Sequence, residues 1–293
     1  MRTAMVAILF VAAGCRSVET TPAQPVAFDG ESAMRFVEEQ MAFGPRVPGS
    51  GANRQAGDRI IASLAESGWA TAAQSLDYRG VRLRNIQATD GRTDGPLILI
   101  GAHYDSRKLA DQESAPNTDP VPGANDGASG VGVLLELARV LPTDPPGCRV
   151  QLAFFDGEDS GGLDGWDWIV GSTYMADSLT EMPDAVIVVD MVGDEDLELF
   201  MEGNSDRGLR GSIWETARSL GYTSFVPIVK YTMIDDHIPF IKKGIASVDI
   251  IDFDYPYWHT RRDTLDRLSP ASLEQVGRTL QTWLDSCPGS LES

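Results

Sequence analysis

The stretch "PLILIGAHYDS", residues 96–106, is an apolar run that ends in histidine, aspartate and serine. Continuous apolar runs of this length are typical of central strands that are covered by helices on both faces. The stretches "RVQLAFFDGED" (149–159) and "DAVIVVDMVGD" (184–194) have the same form, and "SVDIIDFD" (247–254) also predicts a strand. The sequence therefore predicts a buried sheet whose strands carry polar residues at their carboxyl ends.

Helical patterns lie between these strands. The segment "GVGVLLELARVL" (130–141) predicts one helix, an amphipathic pattern predicts another over about 52–67, and "SPASLEQVGRTLQTWLDS" (269–286) predicts a closing helix. An alternating segment at 81–90 predicts a further strand. Strands that alternate with helices indicate an α/β fold with a mainly parallel sheet. In such sheets ligands bind beyond the carboxyl ends of the strands, where the polar residues lie here.

The charge of the chain limits its partners. Its 293 residues contain 43 acidic and 24 basic residues, a net charge of −19. Such a surface repels phosphate backbones, so we expect no nucleic acid partner. It suits cationic ligands, for example peptides with a free N-terminal amine, although solubility alone explains such a charge.

The N-terminus predicts export. The segment "MRTAMVAILFVAAGC" (1–15) has a charged start, a short apolar run and small residues before a cysteine. The run is too short for a permanent membrane span and predicts a secretory signal. Its ending resembles a bacterial lipobox, which implies a signal peptide at 1–14, lipidation of Cys15 and a polar tether over 15–27. We therefore expect a periplasmic or cell-surface lipoprotein, with an ordinary signal peptide as the alternative.

The two remaining cysteines are Cys148 and Cys287. An exported chain enters an oxidising compartment, where these two could form a disulfide. The sequence leaves open whether they pair or remain two separate buried thiols.

Several acidic and histidine residues stand at strand or loop ends, each with a structural explanation of its own. His103 and Asp105 could form a structural hydrogen bond, and Asp126, in "GANDGASG", could cap a helix. Glu158 and Asp159 could be exposed loop acids, although the apolar "LAFF" before them indicates burial. Adjacent buried carboxylates repel each other unless they share a cation or a proton.

Two more residues complete the set. Asp190 follows four apolar residues, and a buried carboxylate there must be paired or bound to metal. His259 follows Trp258, and alone it would be an ordinary surface or core histidine. Taken together, carboxylates and imidazoles at several strand and loop ends suit a zinc site.

The motifs, taken in order, resemble the zinc-dependent M28 peptidase superfamily over about residues 33–285. The motifs that carry the resemblance are "GPRVPGS", "GAHYDS", "GANDGASGVGVLLELAR", "FFDGED", "VVDMVG", "DDHIPF" and "WHT". The resemblance implies a three-layer α/β/α sandwich around a central mixed, mainly parallel sheet. It also implies a single zinc-dependent catalytic domain, which we place at 28–289.

Two branches of the superfamily imply different chemistry. In its glutaminyl-peptide cyclotransferases, or glutaminyl cyclases, one zinc ion would be held by Asp126, Asp159 and His259. In its aminopeptidases, two zinc ions would also use His103 and Asp190, and Asp126 would bridge them. Glu158 would be the catalytic base in both. Asp159 departs from the pattern, since the family more often has glutamate there, and the shorter side chain could shift the metal.

The segment "DDHIPF" (235–240) favours the cyclase branch. The peptidases commonly have Ser-Asp-His where this chain has Asp235-Asp236-His237, and the cyclases also resemble it in the tryptophan before the last histidine. The resemblance implies that Asp235 and Asp190 form a proton-handling network with Glu158. Trp258, and in the same role Trp166, would bind the substrate, with core packing as the alternative for both.

The sequence therefore predicts a glutaminyl cyclase, which is an acyltransferase that converts N-terminal glutamine of peptides or proteins to pyroglutamate with release of ammonia. The alternative is an M28-type aminopeptidase with two zinc ions, and a non-catalytic binding lipoprotein ranks behind both. We expect peptide or protein N-termini as partners and a monomer.

Overall fold

A computed structural model describes residues 26–114, 118–141 and 147–286 of the chain. In these residues the strands are β1 (Ala70–Tyr78), β2 (Val81–Thr89), β3 (Leu97–His103), β4 (Arg149–Phe155), β5 (Ala185–Asp190), β6 (Leu199–Glu202), β7 (Phe225–Tyr231) and β8 (Ala246–Ile251). The α-helices are α1 (Gly30–Met41), α2 (Gly51–Glu66), α3 (Ala128–Val140), α4 (Val170–Asp177), α5 (Arg207–Ser219), α6 (Ile238–Lys242) and α7 (Pro270–Ser286).

Six strands form the main sheet in the order β1-β2-β4-β3-β5-β8. The strand β3 runs parallel to both of its neighbours, and β5 runs parallel to β8, whereas β2 is antiparallel to β1 and β4. The sheet is therefore mixed and mainly parallel, as the sequence predicted. The strands β6 and β7 pair in parallel as a second, smaller sheet.

Helices cover both faces of the main sheet, which confirms the three-layer α/β/α sandwich. The helices α1, α3 and α7 pack together on one face, while α4 and α6 contact each other on the other face. Successive residues of a strand point to opposite faces. Accordingly, Ile98 and Ile100 belong to the core of the first face, and Leu99 to the core of the second.

The predicted strands at 96–106, 149–159, 184–194 and 247–254 are confirmed as β3, β4, β5 and β8, and 81–90 as β2. The first three of these strands end at His103, Phe155 and Asp190, so β3 and β5 end on a polar residue and the other polar residues follow the strands. The polar groups therefore lie at or just beyond the carboxyl edge of the sheet. The sequence missed β1, β6, β7, α4 and α6.

The signal peptide at 1–14, Cys15 and most of the tether over 15–27 lie outside the described residues, as does Cys287. Cys148 is disulfide-bonded. Among the described residues, no helix is long and apolar enough to cross a membrane.

Candidate active site

Asp126, Asp159 and His259 form one group at the carboxyl edge of the sheet. His259 Nε2 lies 3.0 Å from Asp159 Oδ1 and 3.7 Å from Asp126 Oδ2. All three side chains are buried. Within the part of the chain that the structure describes, Asp126 Oδ2 and both oxygens of Asp159 accept no hydrogen bond, and Arg107 Nη1 lies 3.5 Å from Asp159 Oδ1 in a long ion pair. Buried carboxylate oxygens without hydrogen bonds are costly unless a cation binds them, so this group fits zinc.

His103, Asp126 and Asp190 form a second group that shares Asp126 with the first. His103 Nε2 lies 3.1 Å from Asp126 Oδ1 and 3.2 Å from Asp190 Oδ1. The two oxygens of Asp126 therefore face different histidines. The sequence assigned one group of residues to a first ion and another to a second ion. Each group comes together in the structure, and the geometry fits one metal ion or two.

The backbone after Asp126 must turn sharply to reach α3. Gly127 has a φ of +92°, a conformation that other residues rarely adopt. A Cβ at this position would lie 2.6 Å from the carbonyl oxygen of Asp105 and 3.0 Å from His103 Cε1. Glycine at this position therefore lets the segment that carries Asp126 approach His103 closely.

Asp105 supports the site through the backbone. The backbone N–H groups of Glu158 and Asp159 each donate to Asp105, at 3.1 Å. Asp105 Oδ1 lies 3.6 Å from His103 Nδ1, which is too long for a hydrogen bond. Asp105 therefore fixes the acidic pair after β4, whereas the His–Asp hydrogen bond weighed from the sequence does not form.

Asp263 has a similar role that the sequence gave no reason to expect. Its carboxylate accepts hydrogen bonds from the backbone N–H groups of Asn125, at 2.7 Å, and Asp126, at 3.1 Å. The Tyr255 hydroxyl donates to it at 2.8 Å. Burial, and then the charge of Asp126, raise the pKa of Asp263 to about 7. Asp263 thus ties the Asp126 segment to the segment that carries His259.

Arg46, from the motif "GPRVPGS", is fully buried beside this site. Its guanidinium donates to the carbonyl oxygens of Tyr104 and Pro122, both at 3.0 Å, and to that of Gly123. Burial lowers the pKa of Arg46 to about 10. This arginine therefore links the loop after β3 to the loop before Asp126.

His259 is held between a carboxylate and two tryptophans. Its Nδ1 lies 3.3 Å from Asp111 Oδ1, which leaves Nε2 to face Asp126 and Asp159. A carboxylate on the other ring nitrogen is the usual way to orient a metal-binding histidine. The rings of Trp258 and Trp168 stack on the imidazole with centroids 3.8 Å and 6.1 Å away. The backbone of His259 is left-handed, with a φ of +55°, which is uncommon outside glycine.

Glu158, Asp190 and Asp235 converge on the same cavity and are buried. Burial raises the pKa of Glu158 well above its usual value; the charge of His103 opposes this effect and that of Asp235 adds to it. Burial, and then the charges of Asp190 and Asp236, raise the pKa of Asp235 in the same way. Carboxyl groups whose pKa is raised in this way are suited to accepting and donating protons.

The motif "DDH" divides between the cavity and the interior. Asp235 lines the cavity, whereas His237 is fully buried, with its Nε2 3.2 Å from Glu202 Oε2 and its Nδ1 3.8 Å from Asp249 Oδ2. Asp235, His237 and Asp249 lie close enough together to form a third candidate metal group. Of the acids in this motif, Asp235 is therefore the one placed to act on a ligand.

The cavity has a volume of 270 Å³ and an acidic floor with apolar walls. Trp258, Phe253, Met233 and Trp168 contribute to these walls. Trp166 instead packs edge-on against Tyr78, with ring centroids 5.1 Å apart, and is not among the residues that line this cavity. Of the two tryptophans in this segment, Trp168 therefore lines the cavity, and the substrate contact assigned to Trp166 stays a prediction.

The pattern of the sequence also agrees with a known family over most of the described chain. A model of the family described as "Peptidase family M28" matches residues 85–284. The chain belongs to this family. That membership confirms the M28 resemblance noted in the sequence.

Three solved structures illustrate the range of M28 proteins that this chain resembles. A glutaminyl cyclase from Porphyromonas gingivalis is 35% identical, with a TM-score of 0.83, over 88% of this chain and 98% of that chain. A leucine aminopeptidase precursor from Bacteroides thetaiotaomicron is 30% identical, with a TM-score of 0.84, over 90% and 99%. A zinc-dependent exopeptidase from Parabacteroides distasonis is 31% identical, with a TM-score of 0.83, over 89% and 100%.

These M28 relatives carry the names of both cyclases and peptidases. They support an enzyme and a zinc site for this chain. The choice between the two reactions depends on the residues around the cavity.

Proposed function

We propose that this M28 protein is a glutaminyl cyclase that converts the N-terminal glutamine of peptides or proteins to pyroglutamate and releases ammonia. The observation that carries the proposal is the position of Asp235. Its carboxyl group is buried, lines the cavity beside Glu158, and has a pKa well above its usual value. A serine at this position would not supply a second proton-handling group next to the base.

The cavity suits a single terminal residue. Its 270 Å³ lies just below the range of about 300–1,000 Å³ that is usual for sites of drug-sized ligands. Trp258 and Phe253 pack edge to face with ring centroids 5.1 Å apart, which gives this wall a fixed apolar surface. The aliphatic part of a glutamine side chain would lie against this wall, with its amide towards the acidic floor.

Asp126, Asp159 and His259 would hold the zinc ion. When bound, the ion supplies positive charge that polarises the γ-carbonyl group of the substrate. The protein contributes orientation, because His259 is fixed by Asp111 and by its two tryptophan neighbours. The amine and the carbonyl belong to one residue, so holding that residue in a curled conformation brings the reacting atoms together.

Glu158 would move the proton. The α-amine nitrogen bonds to the carbonyl carbon of the side-chain amide, Cδ, and the bond from that carbon to the side-chain amide nitrogen breaks. Glu158 takes a proton from the attacking amine and gives it to the departing nitrogen, which leaves as ammonia. Asp190 and Asp235 would hold Glu158 and the amine in position, and their charges help to keep the carboxyl pKa values of this cluster high.

The second candidate function is an aminopeptidase with two zinc ions. The group of His103, Asp126 and Asp190 favours it, because its facing atoms lie only 3.1 Å and 3.2 Å apart. In that reaction Glu158 would take a proton from water, and the first peptide bond would break. Both reactions need the same base and the same first metal group.

Mass spectrometry of two peptides separates these reactions. The purified chain without its first 27 residues is incubated with zinc and either a Gln-initiated or a Leu-initiated peptide. We expect the Gln peptide to lose ammonia and the Leu peptide to remain intact. Release of free leucine without ammonia loss would assign the aminopeptidase instead.

Export, the lipid on Cys15 and a monomeric state are part of the same proposal. The N-terminal segment supports the first two, because its apolar run ends in small residues before a cysteine. Labelling with a radioactive fatty acid in a bacterial host, compared with a Cys15→Ser variant, tests the lipid anchor.

A further inference from the structure

A second cavity adjoins the active-site cavity. It has a volume of 450 Å³ and is lined by residues of β1, β2 and α4 and by the segment before α4. Trp168 lines both cavities and is 37% exposed. A peptide whose first residue occupies the active-site cavity must continue past its rim, and one extended residue spans about 3.3 Å. Because Trp168 lines both cavities, a peptide that leaves the active-site cavity over this ring would pass the second cavity with the residues that follow its first one.

The walls of the second cavity are aromatic. Trp168, Tyr78 and Tyr174 line it, and Tyr174 is 40% exposed. Large rings left in contact with solvent at the mouth of a cavity offer flat apolar surface to a ligand. Ring faces also attract ammonium and guanidinium groups. Two of these rings already carry arginine side chains of the protein, because the Arg107 guanidinium lies 4.9 Å from the Trp168 centroid and that of Arg79 lies 5.7 Å from the Tyr78 centroid. The partly exposed ring of Tyr174 thus favours a long cationic side chain over a small or an acidic one.

The charged residues of the second cavity also favour a cationic ligand. Its charged lining residues are three aspartates, Asp77, Asp167 and Asp177, and one arginine, Arg82. Asp77 pairs with Arg82 at 2.6 Å, but both side chains are more than half exposed. Exposed ion pairs of this kind are weak, so a cation from a ligand can compete for the carboxylate.

The other two aspartates are also open to such a ligand. Asp167 accepts a hydrogen bond from the Tyr78 hydroxyl at 2.5 Å, and this neutral donor leaves the negative charge of the carboxylate in place. Asp177 pairs with Lys243 at 2.7 Å, and both side chains are well exposed. The residues that line the second cavity therefore carry three carboxylates and one guanidinium, and Lys243 adds a positive charge next to Asp177.

We propose that the second cavity binds a lysine or arginine side chain at the second or third position of the peptide, and so gives the enzyme a preference for substrates with a basic N-terminal segment. The proposal rests on the proposed function, because it requires the first residue of the peptide to occupy the active-site cavity. The net charge of the protein is a competing explanation for such a preference, and the test must separate the two.

The test compares four peptide amides, Gln-Ala-Ala, Gln-Lys-Ala, Gln-Ala-Lys and Gln-Glu-Ala, with the zinc-loaded protein. We expect kcat/KM for ammonia release to be about threefold to tenfold higher for at least one lysine peptide than for Gln-Ala-Ala, as one cation–π contact and one exposed ion pair allow. The ratio should fall at high ionic strength. Equal values for the lysine, alanine and glutamate peptides would overturn the proposal.

Two variants separate the cavity from the overall charge. Asp167→Asn combined with Asp177→Asn should remove most of the lysine preference. Glu38→Gln removes one charge from α1 in the opposite layer, where the side chain is exposed, and should leave the preference unchanged. A preference that survives the double variant, or that falls equally in Glu38→Gln, would contradict the assignment to the second cavity.

A binding measurement distinguishes this proposal from the proposed function. Calorimetric Kd values for the same peptides are measured with the Glu158→Gln protein, which needs no turnover. One outcome is that the Glu158→Gln protein binds a lysine peptide more tightly, while the unaltered protein releases ammonia from no Gln peptide. This outcome would reject the cyclase and retain the second cavity. Ammonia release together with equal Kd values for all four peptides would retain the cyclase and reject the second cavity.

Discussion

The two carboxylate oxygens of Asp126 face different histidines: Oδ1 lies 3.1 Å from His103 Nε2, and Oδ2 lies 3.7 Å from His259 Nε2. The Asp126 backbone is fixed at the same time by its hydrogen bond to Asp263. The position of this one side chain therefore allows both a site for a single ion and a site for two. Because both reactions would use Glu158 as the base, the cavity residue that favours one reaction over the other is Asp235.

Replacing Glu158 by glutamine should stop proton transfer while the metal stays bound. Glutamine has nearly the same shape but no exchangeable carboxyl proton, so kcat should fall at least about 100-fold. Zinc content, measured by elemental analysis, should equal that of the unaltered protein. Activity close to normal would show that Glu158 is not the acid–base group.

Replacing Asp235 by serine should impair cyclisation more than peptide binding. The substitution removes the carboxyl group that shares the cavity with Glu158, so we expect a fall in kcat of about 100-fold, within the range of a lost proton-transfer group. Asp254→Ser is the matched control, because Asp254 is a partly exposed acid that pairs with Lys230. Unchanged ammonia release by the Asp235→Ser protein would remove the main support for a cyclase.

Replacing His103 by alanine distinguishes one ion from two. A cyclase with a single ion would hold it with Asp126, Asp159 and His259, and His103 would not be a ligand. The ratio of zinc to protein should therefore remain at about one. An aminopeptidase would lose the second ion, and the ratio would fall from about two to about one. His259→Ala, the parallel variant, should reduce zinc binding in either case.

Stability of the metal-free protein should fall as the pH rises from 5 to 8. Burial, as the largest cause in each residue, raises the pKa of Asp156, Asp236, Asp252 and Asp263 to about 7. In the unfolded chain these groups titrate near their usual 3.8, so the folded state binds more protons between the two values. The contribution of these four buried carboxyl groups to the free energy of unfolding is fully present below about pH 3.8. It is lost as the pH rises through about 7.

Thermal unfolding with a chelator present checks this trend. Tm should be lower at pH 8 than at pH 5, a range in which carboxyls of low pKa such as Glu202, at about 2, stay ionised. Asp252→Asn should reduce the change of Tm with pH, because asparagine does not titrate. Asp252 suits this test since it takes part in none of the candidate metal groups. A Tm that is constant or rises over this range would contradict the pKa shifts.

The sequence predicted the centre of the sheet well because burial on both faces leaves a simple signal. All residues of β3 and β5 are buried, and both strands appear as apolar runs. The strand β1, "ATAAQSLDY", lies at the edge of the sheet, and Leu76 is its one fully buried side chain. It therefore shows neither an apolar run nor alternation, and a search for apolar runs and alternation passes over it.

The sequence indicated which residues come together in the candidate site, but not the residues that hold them in place. His103, Asp126 and Asp190 stand at ends of predicted elements, where the carboxyl edge of a parallel sheet gathers them. Asp263 holds the backbone of Asp126 from 137 residues away in the chain, and no local pattern records such a contact. Trp166 and Trp168 stand two residues apart outside any helix or strand, so no periodicity indicates which of them faces the cavity.

The hydrogen bonds from the backbone of Asn125 and Asp126 to Asp263 have a consequence for hydrogen exchange. Both amides belong to a loop, and loop amides usually exchange with solvent quickly. Here they are buried and bound by a carboxylate that belongs to another segment, so they can exchange only when the two segments separate. Slow exchange at these two amides in the metal-free protein would show that the ligand-bearing loops are assembled before any ion arrives.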